Sequence, residues 1–434
     1  MKNSIKYFGI ALIALFGLQS QAQETTTQES QEMVKSIWDR DIPNFRQPDK
    51  RGVNDFEAPK DWDTYYDGVQ VRVGGASTIQ FQDLDQENSS TVELHELGGN
   101  FNLATANLDL DVLLYDGVRM HLRTYLSSQH HSEAWVKGGY IQIDKLDFIR
   151  EGFAEDFMKY ARVKIGHMEN NYGDAHFRRT DNAMALHNPF VGNYLMDSFT
   201  TEVGAEVYFF KNGWLGMAGF SNGKLNQSTV GEGETSPSLL AKVGYDDYVT
   251  EDLRFRLTGS VYHTAHSKSV YLYSGDRAGS RYYNVMTGPD GGDGFRAGRI
   301  NPDLKNEVTS FMINPFLKYG GLEFFGIFEV ATGKKSSEAN ERTWNQYSGE
   351  LIYRFGETEN FYVGGRYNRV DGELTGSNID VDVDRFQLAA GWFMTKNILA
   401  KLEYVTQNYN GYPTDDIHSG GKFNGFMVEA AISF

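Results

Sequence analysis

The chain has 434 residues, 14% of them aromatic, with 46 Gly, 9 Pro and no Cys, and its 41 basic against 58 acidic side chains leave a formal charge of −17. An acidic balance argues against a nucleic-acid binder, for which a basic footprint is expected, and the missing cysteines exclude a disulfide framework. Aromatic-rich, Gly-rich and Pro-poor usage leans toward strands.

The N-terminus, MKNSIKYFGIALIALFGLQSQA, joins Lys2 and Lys6 to a short apolar stretch and a small-residue end. That is the pattern of a cleaved secretory signal over residues 1–22. The apolar run is too short to span a bilayer as a helix, which needs about 20 residues. Its removal leaves 39 basic against 58 acidic side chains, a mature charge of −19. Residues 23–66 are polar and show no alternation. They read as a periplasmic segment with little structure of its own, a short plug being one role for it.

From residue 67 onward a period of two takes over. VRMHLRTYL (118–126) sets Val118, Met120, Leu122 and Leu126 against Arg119, His121 and Arg123. LRFRLTGSVYH (253–263) sets Leu253, Phe255, Leu257 and Val261 against Arg254 and Arg256. Side chains of a strand alternate between its faces, so these are strands with one apolar and one charged face. About sixteen such segments run from 68–82 to 422–434, and their connections alternate between short turns and long polar loops. Short turns at one rim, long loops at the other and an even strand count describe a transmembrane barrel of the bacterial outer membrane. The predicted fold is therefore all-β: an antiparallel transmembrane β-barrel of about 16 strands over 67–434. The terminal FNGFMVEAAISF fits, because a closed barrel pairs its last strand with its first and turns the apolar parity outward to lipid. Pro315 is the misfit, since proline cannot donate to a ladder; a bulge or a shifted strand boundary is expected there.

About sixteen strands leave an aqueous lumen. The third long loop, 169–200, is expected to fold inward and narrow it, carrying His176, Arg178 and Arg179. Basic pairs occupy the inner parity at Arg119 and Arg123, Arg162 and Lys164, and Arg254 and Arg256. Arginines and lysines lining a pore favour anions. The same parity also carries Asp109, Asp111, Asp144, Glu202, Glu206, Glu323, Glu329, Glu350, Glu403 and Glu429. The pairs therefore read either as anion guides or as partners in cross-strand ion pairs.

The third-loop run NYGDAHFRRTDNAMALHNPF (171–190), the tract YLYSGDRAGSRYYNV (271–285) and the terminal Phe resemble the porins related to phosphate-selective porins O and P. The resemblance extends over roughly 67–434. It implies a homotrimeric diffusion pore in the outer membrane of a Gram-negative bacterium, in contact with its lipid and lipopolysaccharide, in which arginines line an anion path. This chain departs from a uniform arginine ladder, because its inner wall is mixed. The expected function is passive passage of small polar solutes, with anion or phosphate preference as a separate expectation. No enzymatic activity, cofactor or metal site is expected. His130-His131 and His263 with His266 lack the spacing and carboxylates of a zinc site, and the Gly-rich loop around Asp290 and Asp293 lacks the terminal Glu of an EF-hand. The alternative is a barrel serving as scaffold or adhesin through loops 267–306 and 409–421.

Overall fold

The computed structural model describes residues 41–434 apart from 103, 127–133, 223–233, 276–280 and 292–293. The expected signal, the first part of the N-terminal segment, His130, His131 and Asp293 lie outside the described residues. Among the described residues, sixteen antiparallel strands close into one barrel. In chain order they are β1 (Gln70–Glu87), β2 (Thr105–Tyr115), β3 (Val118–Leu126), β4 (Trp135–Ile143), β5 (Ala161–Glu169) and β6 (Thr201–Lys211). Next come β7 (Trp214–Ser221), β8 (Ser238–Tyr248), β9 (Leu253–Thr264), β10 (Glu307–Tyr319) and β11 (Leu322–Lys334). The last are β12 (Arg342–Phe355), β13 (Phe361–Glu373), β14 (Asp380–Thr395), β15 (Ile398–Asn410) and β16 (Lys422–Ser433). A two-residue strand, Asn100–Phe101, leans on β1.

Closure is made by the chain's end. β16 pairs with β1 from Ala76↔Ser433 to Glu87↔Lys422, while the first half of β1 pairs with β2. Phe434 extends the ladder by exchanging two 3.0 Å backbone hydrogen bonds with Gly75. Among the described residues every strand thus has a neighbour on each side, which pairs the polar backbone without water.

The alternation in the sequence becomes an inside and an outside. Leu257, Phe311, Ile313, Phe328, Leu351, Val363 and Leu388 are exposed on the exterior. At the short-turn rim Tyr353, Phe355, Phe361 and Trp392 form a continuous stack, with successive rings 5.7–6.1 Å apart and within 19° of parallel. An apolar band flanked by aromatics is the exterior of a bilayer-spanning barrel. The turns are tight: Asn212 and Gly213 both hold positive φ, 50° and 77°, the backbone of the two-residue hairpin that matches strand twist.

Pro315 sits in β10 without the expected bulge. Its register with β9 is unbroken (Leu257↔Pro315), and the pairing with β11 keeps one register on either side of it, Ile313↔Phe328 and Phe316↔Phe325. The gap is filled chemically. Asn314 Nδ2 donates to the Gly326 carbonyl at 3.0 Å, and Gly326 leaves room for the ring, since a Cβ there would lie 2.9 Å from Pro315 Cγ.

Gly326→Val should therefore lower stability by about 1–3 kcal/mol through overpacking, read as the denaturant midpoint of detergent-solubilised barrel. Pro315→Ala in the same chain should restore most of it, and an unchanged midpoint for the single variant would refute the account.

Candidate functional site: a charged lumen divided by two loops

The third long loop, 170–200, runs through the barrel and is almost entirely buried. Inner-wall side chains hold its backbone. Ser260 accepts from Gly173 N at 2.8 Å, Asn314 from Asp174 N at 2.8 Å, Gln346 from Met196 N at 3.0 Å and Asn368 from Leu195 N at 2.7 Å. Glu403 accepts from Val191 N at 2.8 Å, and Lys401 Nζ donates to the carbonyls of Ala185, Asn188 and Phe190 at 2.8–3.0 Å. The loop thus lies along β9 to β15. Part of the loop between β9 and β10 packs above it: Ile300 N donates to Leu195 O, and Tyr282 Oη to Glu403.

Residues 44–61 form a second inward element at the short-turn end. Its neck is closed by Asn44, which accepts from Asp61 N at 2.5 Å and donates to Asp61 O at 2.9 Å. The neck is fixed to β4 and β5: Gln142 Nε2 donates to Asn44 O, and Arg162 donates to the carbonyls of Ala58 and Pro59. Its tip reaches the opposite wall. Lys50 N donates to Lys396 O, Lys50 Nζ to Asn360, and Asn54 Nδ2 to Glu323. Since β5 and β13 are half the circumference apart, this segment crosses the whole mouth. It meets the third loop through Arg46, which donates to Phe177 O at 3.0 Å, and through Phe56 edge-on to Phe177.

Between the wall and the two loops lies a cavity of about 210 Å³. Its outer wall is β1 to β6 and its inner wall is the two loops. Seven cations line it (Arg46, Arg72, Arg123, Lys137, Arg162, Lys164 and Arg179), along with His121, His176 and His187, against four carboxylates (Glu57, Asp109, Glu169 and Asp181). Several partners of the cations are set behind them. Asp111 behind Arg72, Asp144 behind Arg162 and Asp197 behind Arg179 are each at most 2% exposed. The face toward the cavity is positive although the chain is strongly negative.

The residues singled out in the sequence fall into two groups. Arg123, Arg162, Lys164, His176 and Arg179 line the cavity. Arg123 clasps Asp109 with two 2.7 Å bonds and reaches Asp181 at 3.2 Å. Lys164 lies 4.6 Å over the Tyr140 ring and 4.0 Å from Glu206. His176 bonds Glu169 at 2.5 Å and Asn171 at 3.0 Å. Arg179 clasps Asp197 at 2.7 and 2.6 Å over the Phe199 ring. Arg119, Arg178, Arg254 and Arg256 lie away from the cavity and join elements instead. Arg119 donates to Asp144 at 2.8 Å, and Arg254 clasps Asp246 with two 2.8 Å bonds. Arg178, 2% exposed, bridges the third loop to Glu350 at 3.2 Å and Asn54 across the lumen. Arg256 gathers Asp174 at 2.8 Å and Glu57 at 2.7 Å, tying wall, third loop and N-terminal loop into one cluster with Lys242. Sequence reading missed Arg46, Arg72, His121, Lys137 and His187. Arg72, His121 and Lys137 belong to strands already predicted, whereas Arg46 has no periodic signal around it.

Two titrations follow from this packing outside the strands. Burial works to raise the Glu57 carboxyl, but Arg256 and Lys242 overcome it and hold it at about 2, below the ordinary 4.5. Burial drives His187 well below 6.5, and the nearby Arg46 pushes the same way. Both are depressed in the folded chain. Their contributions are complete above the unfolded values and are lost as pH falls.

No family model and no curated protein sequence matches the chain. Among solved structures it resembles an anion-selective porin from Comamonas acidovorans at 10% identity, covering 84% of this chain and all of that one, TM-score 0.52. OmpF of Salmonella typhi in complex with daunomycin is 10% identical, with 86% and 99% covered and a TM-score of 0.51. The trimer form of OmpT, an outer-membrane protein of Vibrio cholerae, is 12% identical, with 85% and 100% covered and a TM-score of 0.50. At these identities the likeness is one of fold.

Arg178→Ala should loosen the third loop at a cost of about 1–3 kcal/mol, the range for leaving buried polar groups unsatisfied. Proteolysis of the folded variant within 170–200, where the parent resists, is the readout; equal resistance would count against the anchor. Docking of residues 44–61 should be intact at neutral pH, weaken first as unfolded-state His187 gains its proton near pH 6.5, and then fail from about pH 4.5 toward 2. Labelling of Ala58→Cys, in a chain with no other cysteine, divided at each pH by the rate of a free thiol to remove the thiolate's own pH dependence, should accelerate over that window. Faster labelling at high pH would contradict the sign.

Proposed function

We propose that this chain is an outer-membrane porin, a channel for passive diffusion of small polar solutes with a bias toward anions. The short-turn rim then faces the periplasm and the long-loop rim the exterior. The observation that carries the reading is the cavity between β1–β6 and the two loops, lined by seven arginine and lysine side chains against four carboxylates. In a narrow, partly dehydrated passage the nearest charges dominate the field, so such a wall attracts anions and repels cations. Arginine's planar fork suits oxyanions, phosphate among them. The fold shared with the solved neighbours, one an anion-selective porin and another the trimer form of OmpT, supports the channel and a trimeric assembly as its setting. The scaffold reading draws less support, because much of the loop between β9 and β10 turns inward rather than presenting itself outside.

Purified protein in a planar bilayer under a potassium chloride gradient should give discrete currents with a reversal potential on the chloride side. Arg123→Glu with Lys164→Glu should move it toward potassium. The bias should be larger at 0.1 M salt than at 1 M, as the screening length falls from about 10 to about 3 Å. Absence of current would remove the channel, and potassium preference in the parent would remove the anion bias alone.

A further inference from the structure

The N-terminal loop is the part of the lumen that the strand pattern does not account for. It is built as a finger: a neck bonded shut between Asn44 and Asp61, and a tip tied to the far wall at Asn360, Lys396 and Glu323. Its core is packed, with Phe56 2% exposed, Arg256 4.2 Å from its ring and Phe316 edge-on to it at 5.2 Å. Phe45, Arg46, Gln47 and Pro48 form the cavity's wall.

Arg46 differs from the arginines around it. Arg72, Arg123, Arg162 and Arg179 each hold a carboxylate at 2.6–2.8 Å. Arg46 donates instead to the carbonyls of Gly52, at 3.0 and 3.2 Å, and Phe177. Its guanidinium lies 5.6 Å over the Phe177 ring. Among the described residues no carboxylate comes within ion-pair distance of it. Asp55, Glu169 and Glu57 are in its field at longer range, and Glu169 is engaged by His176. Burial lowers the group only to about 10, so it is charged at neutral pH.

We propose that residues 44–61 are a resident stopper that sets the periplasmic half of the constriction, with Arg46 as the specificity-determining charge where the stopper meets the third loop. This rests on the channel reading. The stopper spans the mouth's diameter, and the cavity lies beside β1–β6. Carbonyls orient Arg46 without cancelling its charge, so a permeating anion meets a fixed cation there.

The test compares three purified full-length barrels in planar bilayers: the parent, a deletion of 44–61 bridged by a short Gly-Ser linker, and Arg46→Gln. The deletion should raise single-channel conductance several-fold, and Arg46→Gln should move the reversal potential toward potassium. Equal conductance in parent and deletion overturns the stopper while leaving the channel standing. An unmoved reversal potential for Arg46→Gln overturns the role of Arg46. Silence from both parent and deletion removes the channel reading and this inference with it. Lys50→Ala with Asn54→Ala, which unties the tip from Asn360 and Glu323, covers a deletion that does not fold: it should raise conductance above the parent's. Unchanged conductance overturns the stopper.

Discussion

A charged side chain on the inner face of a wide barrel can stay wet, or it can be covered and must then be paired. Burying it alone costs far more than a fold of this kind can bear. That choice organises this molecule. Over β9 to β16 the inner wall is covered by loops, and its charges are satisfied there, some as pairs, Arg366 with Glu350, Lys401 with Glu429 and Arg354 with Glu323, and others by neutral groups, Arg385 by Gln407 and two loop carbonyls and Glu329 by Tyr172, Tyr273 and Gln346. Over β1 to β6 the wall is left partly open, and there the cations face a cavity. The cavity lies where the two loops leave the wall uncovered.

The loops are held by the same chemistry as the wall. Asp174 of the third loop and Glu57 of the N-terminal loop share Arg256 and Lys242, and Arg178 reaches from one loop to the other and to the wall. Such a cluster gives little net stability compared with an apolar core of the same volume. It does resist half measures, because moving one loop strands a charge belonging to another. The third loop and the N-terminal finger therefore behave as one septum.

Much of the barrel was legible in the sequence because a strand with two unlike faces writes its period directly. Arg254, Arg256, Phe255 and Leu257 announce inside and outside with no further information. The even count, the short and long connections and the terminal Phe followed from closure. Pro315 was flagged correctly as a break in that rule, but its remedy was not readable, since it rests on Asn314 and on Gly326 across the strand pair. The site was less legible. A basic residue paired on the inner parity looks the same whether or not it borders the cavity, so Arg123 and Arg254 are indistinguishable by pattern. Arg46 was invisible, as an irregular segment has no period from which its side chain's direction can be inferred.

The bonded neck of the N-terminal finger carries a topological consequence. Because Asn44 and Asp61 are adjacent, the polypeptide goes into the lumen and comes back out at a single point beside β4 and β5. Among the described residues no segment has to be threaded through the ring of strands. The cylinder can be sewn shut between β1 and β16 first and receive the finger afterward, so the order of assembly is free of any knot.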